Sequence, residues 1–98
     1  MEINKILDGT HLTIELIGKL ETTTAGKLEP ECNDLPSEID KLTIDMKQLK
    51  YISSAGLRVI LKFQKKMGKQ GTMEIKGASQ IIMEVFDLTG FSSILTFI

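Results

Sequence analysis

The segment from Leu42 to Lys76 places one amphipathic helix between two short strands. Leu42–Met46 and Thr72–Lys76 alternate apolar and polar residues as strands do, whereas Ser54–Met67 repeats its apolar residues at helical spacing. A strand, a helix and a second strand in this order form a crossover that makes the two strands parallel in one sheet. The pattern therefore predicts an α/β fold, with 47–53 as a loop before the helix.

The first twenty residues alternate in a way that predicts an antiparallel hairpin. Alternate positions on both sides of Asp8-Gly9 are mostly apolar, with Lys5 as the exception, and this dipeptide tolerates the positive φ of a tight turn. Leu12, Ile14 and Leu16 are expected to share one face of the second strand. The hairpin adds an antiparallel pair to the sheet, so we expect a mixed sheet.

A first helix is predicted from Thr22 to about Leu35, because apolar residues there lie three and four positions apart. The threonine run 22–24 offers an amino-terminal cap, and Pro30 is expected to kink or shorten the helix. Cys32 occupies an apolar position and is expected to be a small core residue.

The last twenty residues predict a third helix and a final strand. The helix is expected from Ser79 to Asp87, and the alternating residues 91–98 are expected to form a buried strand. The complete order is strand, strand, helix, strand, helix, strand, helix, strand. It predicts one α/β domain over residues 1–98, with a mixed sheet, an amino-terminal antiparallel hairpin and packed helices.

Composition and charge exclude several functional classes for this protein. Twelve basic and 13 acidic residues give a net charge of -1, without the basic excess that direct nucleic-acid binding needs. One cysteine and one histidine supply neither a disulfide nor a metal framework, so we expect no cofactor and no metal. No apolar run approaches the roughly 20 residues of a membrane span, and the start of the chain lacks a signal-peptide pattern, so a cytoplasmic protein without membrane insertion is expected.

The sequence contains few of the residue patterns that enzymes use for catalysis. Patterns of zinc proteases, phosphate-binding loops and serine hydrolases are absent, and His11 has no sequence neighbours that would build a triad with Ser54. We therefore expect a protein that is not an enzyme. A small serine hydrolase or phosphotransferase would need a base near Ser54 that the sequence does not reveal.

The most informative segment is DMKQLKYISSAGLRVIL, residues 45–61, in which a Ser53-Ser54 pair opens the central helix. A hydroxyl at a helix start lies beside unpaired backbone N–H groups and the positive end of the helix dipole, so a phosphate would be tolerated there. The small residues Ala55 and Gly56 would let a kinase or a partner approach the backbone. The spacing alone also fits a role as a simple helix cap for either serine.

These residues resemble the STAS family, and in particular the bacterial anti-sigma-factor antagonists. The central segment is similar to the family's turn, which has an aromatic residue, Ile, Asp or Ser, Ser, a small residue, Gly and Leu. The segments GKLETTTA, residues 18–25, and FDLTGF, residues 86–91, resemble two further family motifs. Two departures stand out, since Ser53 lies where the best-known antagonists carry Asp and Glu21 replaces the usual Asp.

The resemblance implies a switch in which Ser54 accepts phosphate from a serine kinase that is also an anti-sigma factor. Without phosphate the protein would bind that kinase and release a sigma factor, and a serine phosphatase would be a further partner. The resemblance places Asp45 and the Glu21-Thr22 turn at the border of this site, and the full set of residues expected in partner binding is Glu21, Thr22, Asp45, Ser53, Ala55, Gly56 and Arg58. The alternative keeps the fold but makes the domain a binding subunit of a larger assembly, such as a lipid-transport complex, in which Ser54 is only a cap.

Two charged features flank the central turn. Asp45 is expected at the carboxyl end of a parallel strand, on the same surface as Ser54, although a loop-capping role is equally compatible with the sequence. The basic residues of the central helix form either a solvated face or a docking surface for an acidic partner. They are Arg58, Lys62, Lys65, Lys66 and Lys69.

Overall fold

The computed structural model describes residues 1–98 as four strands, three α-helices and one short 3-10 helix. In chain order these are β1 Glu2–Asp8, β2 His11–Leu20, α1 Thr22–Asn33, β3 Lys41–Ile52, α2 Ser54–Met67, β4 Thr72–Lys76, α3 Gln80–Leu88 and the 3-10 helix Phe91–Ser93. The sheet order is β1-β2-β3-β4, with β1 antiparallel to β2 and the other neighbours parallel. The predicted mixed α/β sheet with its amino-terminal hairpin is confirmed.

One face of the sheet carries the hydrophobic core, because alternate side chains of a strand point to opposite faces. Leu12, Ile14 and Leu16 are all buried on that face of β2, as predicted. The helices cover them with buried residues that include Phe63 and Phe86. Across the sheet, two rows of paired residues on this core face are Leu12–Leu42–Met73 and Ile14–Ile44–Ile75.

None of the three α-helices combines the length and the apolar character that crossing a bilayer requires.

Strand β3 is longer than the sequence predicts, and the expected loop at 47–53 is wrong. The chain from Lys47 to Ile52 continues the strand and pairs with β2 as far as Leu20. Two register shifts interrupt this pairing, one of them beside Gly18. Because such irregularities break the two-residue alternation of a strand, the buried residues of this part no longer follow a strand pattern in the sequence.

Helix α1 begins at the predicted residue, but its cap differs from the prediction. The residue before the helix is Glu21 rather than a member of the threonine run. Thr24 supports the turn from inside the helix, since its hydroxyl accepts from the Glu21 N–H at 2.9 Å and donates to the Lys19 carbonyl at 2.8 Å. The helix includes Pro30 and ends three residues later at Asn33.

The end of the chain does not form the predicted buried strand. Helix α3 lies within one residue of its predicted bounds, but it is followed by a turn at Gly90, whose φ of 79° is left-handed, and by the 3-10 helix. Only Phe97 then bridges to β4, through a parallel contact with Ile75. Since the turn uses most of the remaining residues, no strand ladder forms, and Ile94 and Ile98 stay exposed.

Candidate functional site

The starts of two helices lie side by side at one end of the sheet. Strand β2 ends at Leu20 and leads directly into α1, and β3 ends at Ile52 and leads directly into α2. Leu20 and Ile52 are paired in the sheet, and the N–H of Ser53 donates to the Leu20 carbonyl at 2.9 Å. The two strand-to-helix connections therefore form one continuous surface.

The two serines at the start of α2 have different surroundings. Ser53 is the N-cap residue, with extended backbone, and its hydroxyl accepts from the Gly56 N–H at 3.3 Å. Ser54 is the first helical residue; its side chain is exposed and forms no hydrogen bond with the protein. The cap role considered for either serine thus falls to Ser53, and the Ser54 hydroxyl is accessible.

A shallow depression joins the two helix starts. It is lined by residues from both connections, so the structure brings together three of the candidate site residues, Glu21, Thr22 and Ser53. Thr23 and Tyr51 complete the lining. Neither of these two was selected from the sequence. The signal for Tyr51 was present, because it is the only tyrosine and stands directly before the Ile-Ser-Ser turn, and its side chain is 45% exposed.

Ala55 and Arg58 lie in an adjoining groove between α1 and α2. Glu29 and Lys62 line the same groove and form an ion pair with each other. Arg58 is exposed and belongs to none of the three ion pairs of the chain. Its guanidinium is therefore free, at a position one helical turn beyond Ser54.

The basic residues of α2 do not form one uniform surface. Lys66 is partly buried and donates to the carbonyls of Cys32 and Asn33 at 2.7 and 2.9 Å. It thereby binds the carboxyl end of α1, where cations are favoured by the helix dipole. With Lys62 paired to Glu29, two of the five basic residues hold the two helices together. The two alternatives from the sequence, a solvated face and a docking surface for an acidic partner, therefore do not apply to Lys62 and Lys66.

Asp45 does not lie where the sequence predicts. Strand β3 continues for seven residues beyond it, which places the end of the strand on the order of 20 Å further along. The Asp45 carboxylate accepts from the backbone N–H of Lys47 at 3.0 Å. The expectation that Asp45 shares a surface with Ser54 is therefore wrong. Its local hydrogen bond agrees with the capping alternative instead.

Gly56 is also placed differently from the expectation. It is buried on the inner side of α2, and a Cβ atom there would lie 2.7 Å from Leu20 Cγ, 3.0 Å from the Leu20 carbonyl oxygen and 3.1 Å from Ile52 Cγ1. The absence of a side chain lets α2 pack closely against the end of β2. The expectation that Gly56 leaves room for an approaching partner is wrong, because that space is filled by the protein itself.

The remaining candidates for nucleophilic chemistry lie away from Ser54. His11 is paired with Lys41 at the beginning of β3, at the opposite end of the sheet, and its Nε2 is 2.7 Å from the Thr43 hydroxyl. Cys32 is buried in the core, as predicted, and burial raises the pKa of its thiol, an effect that the nearby Lys66 and Lys62 partly oppose. His11 therefore cannot act as a base for Ser54.

The model of the STAS domain family matches residues 2–98. The chain belongs to the STAS domain family. A relative is the candidate anti-sigma factor antagonist BtrV of Bordetella bronchiseptica, which is 37% identical over an alignment of 84 residues that covers 81% of this chain and 70% of BtrV. This STAS domain is therefore similar in sequence to a protein named as an anti-sigma factor antagonist.

Solved structures share the fold of this STAS domain at low sequence identity. The Bacillus cell fate determinant SpoIIAA in its phosphorylated form is 14% identical, with a TM-score of 0.68 over 99% of this chain and 91% of SpoIIAA. The unphosphorylated form of SpoIIAA gives a TM-score of 0.77 at 12% identity, over 99% of this chain and 87% of that one. A sulfate transporter family protein from Wolinella succinogenes is 19% identical, with a TM-score of 0.80 over 95% of this chain and 80% of that one.

Proposed function

We propose that this STAS domain is an anti-sigma factor antagonist that is switched by phosphorylation of Ser54. The observation that carries the proposal is the exposed Ser54 hydroxyl at the start of α2, beside a Ser53 that already provides the cap. The similarity to BtrV supports the antagonist role. SpoIIAA, which has the same fold, is known in phosphorylated and unphosphorylated forms.

The proposed partner is an anti-sigma factor that is also a serine kinase. In the unphosphorylated state, the surface around Ser54 binds this kinase and the sigma factor is released. The residues that we assign to this surface are Glu21, Thr22, Thr23, Tyr51, Ser53, Ser54, Ala55 and Arg58. They line the depression and the adjoining groove, or lie exposed beside them. The exchange takes place in the cytoplasm, where sigma factors act.

Phosphorylation ends the contact through charge. The Ser54 Oγ forms a bond to the γ-phosphorus of ATP while the bond between that phosphorus and the bridging oxygen breaks, ADP leaves, and the hydroxyl proton passes to a base of the kinase. The product carries about -1.5 to -2 additional charge on three acceptor oxygens. Burying this group under a partner requires its desolvation, so the complex dissociates. A serine phosphatase restores the hydroxyl by hydrolysis.

The direct test is phosphorylation of the full chain by its kinase. The kinase is captured from the native cell with the unphosphorylated domain and then incubated with Mg-ATP and the wild type, Ser54→Ala or Ser53→Ala. We expect one phosphate on Ser54 in the wild type and in Ser53→Ala, and none in Ser54→Ala. A phosphate mapped to Ser53, or a full equivalent on Ser54→Ala, would contradict the assignment.

A second candidate function is a binding subunit of a larger assembly, such as a lipid-transport complex. The fold shared with the sulfate transporter family protein of Wolinella succinogenes favours it. In that case the hydroxyl of Ser54 has no acceptor role. Capture from the native cell distinguishes the two, because an ATP-binding kinase supports the antagonist and transporter subunits support the assembly.

A further inference from the structure

We propose that Arg58 binds the phosphate of phosphorylated Ser54 within the same chain. This inference rests on the proposed phosphorylation of Ser54 and concerns what the phosphate contacts once it is there. Ser54 and Arg58 are four residues apart on α2 and both are exposed. Residues at this spacing are neighbours on a helix surface, about 6 Å apart along the axis.

The direction of the side chains favours this contact. Side chains of a helix lean toward its amino terminus, so the long side chain of Arg58 extends over the turn that contains Ser54. A guanidinium presents a planar set of donors that matches two phosphate oxygens at once. Arg58 can therefore reach a phosphate on Ser54 without any change in the backbone.

No other group of the chain competes strongly for Arg58. The acidic residue that lines the same groove is Glu29, and its carboxylate is paired with Lys62. The other two ion pairs lie elsewhere, since Lys5 binds Glu31 and Lys41 binds Glu74. An exposed and unpaired guanidinium beside the acceptor hydroxyl is thus available in the unphosphorylated protein.

The consequence is a switch with two simultaneous effects. The phosphate adds negative charge at Ser54, and by binding Arg58 it also makes an exposed cation of the same helix unavailable to the partner. An acidic group of the partner that contacts Arg58 in the complex would then meet a phosphate in place of a free guanidinium. Release of the partner therefore depends on Arg58 as well as on Ser54.

The experiment uses the full chain with phosphoserine placed at position 54 during translation, so that no kinase is needed. The phosphate is titrated by ³¹P NMR in the wild type, Arg58→Gln, Arg58→Lys and the control Lys65→Gln. Lys65 is also exposed and basic, but it lies about 16 Å from Ser54 along the helix. Circular dichroism confirms the fold of each variant.

We expect the second pKa of the phosphate, ordinarily about 6, to be about 0.2 to 0.4 units higher in Arg58→Gln than in the wild type at low salt. Lys65→Gln is expected to match the wild type and Arg58→Lys to lie between. Near 1 M salt the difference should shrink, because the screening length falls to about 3 Å.

Equal pKa values in the wild type and Arg58→Gln would overturn the proposal. An equally large change of the phosphate pKa in Lys65→Gln would also overturn it. Such a change would show that the positive charge of the whole helix, rather than a specific contact with Arg58, sets the pKa. Failure of a kinase to modify Ser54 would count against the proposed function and leave this result unchanged. If Arg58→Gln were unfolded, the charge-retaining Arg58→Lys would still decide, since loss of the two-pronged contact alone raises the phosphate pKa.

Discussion

Ser53 and Ser54 carry the same side chain one position apart, yet the start of α2 gives them different environments. The Ser53 hydroxyl accepts from the Gly56 N–H, which satisfies one of the backbone donors that the first turn leaves without an intrahelical partner. The Ser54 hydroxyl faces solvent. At the scale of single residues, stability and the proposed modification are therefore assigned to separate serines and can be changed independently.

Replacing Ser53 with Ala is expected to lower the free energy of unfolding by about 1 kcal/mol, because the cap hydrogen bond is lost. Ser54→Ala is the matched control and should change stability little, since the Ser54 hydroxyl is exposed and forms no hydrogen bond within the protein. Urea unfolding monitored by circular dichroism measures both. Equal losses in the two variants would show that the cap is shared.

The buried thiol of Cys32 gives a pH dependence with a definite sign. Burial raises its pKa in the folded chain, so the unfolded chain loses this proton at lower pH than the folded chain does. The contribution of the Cys32 thiol to the free energy of unfolding is fully present below the pKa of a thiol in the unfolded chain, about 8.5. It declines as the pH rises toward the higher pKa of the folded chain. We expect the melting temperature to fall less between about pH 8 and pH 10 in Cys32→Ala than in the wild type. Parallel profiles would contradict this.

The close approach of α2 to β2 is the element-scale feature on which the site depends. Gly56 makes it possible, because any side chain there would meet Leu20 and Ile52. The contact fixes the start of α2 beside the start of α1, and the hydrogen bond from Ser53 to Leu20 joins the two connections. Displacing α2 would therefore disturb the depression that Ser53 and Glu21 line.

Gly56→Ala is expected to destabilise the domain by about 1 to 3 kcal/mol, as overpacking of a close contact does. The matched control is Gly26→Ala in α1, where a Cβ atom meets nothing within 4 Å. Alanine there should stabilise by about 0.4 to 1 kcal/mol, since glycine is unfavourable in a helix. Thermal melting measures both, and a neutral Gly56→Ala would show that α2 moves away at little cost.

The sequence predicts the elements well where their periodicity is regular and poorly where pairing is irregular. The regular repeats of Ser54–Met67 allowed α2 to be located to the residue. The register shifts of β3 remove the alternation from its second half, so the sequence predicts a loop there and places Asp45 at the end of the strand, which is wrong. Gly56 could not be assigned from the sequence, because its role depends on Leu20, which is distant along the chain.

At the scale of the whole molecule, the two ends of the sheet differ in character. One end carries the two helix starts and the exposed Ser54, whereas the other carries His11, whose contact with Thr43 continues through a hydrogen bond of 3.0 Å to Glu74. With a net charge of only -1, one phosphate changes the total charge to about -3. A single modification can therefore alter the field at one end of the molecule while the core remains intact.

The most direct measurement is calorimetric titration of the kinase with the full chain carrying Ser, Ala, Asp or phosphoserine at position 54. We predict that Ala binds about as tightly as Ser, Asp more weakly, and phosphoserine most weakly, because one carboxylate supplies about half the charge of a phosphate. Melting curves of the four proteins verify that each is folded. If phosphoserine bound as tightly as Ser and Asp bound as tightly as Ala, charge at Ser54 would not control the partner.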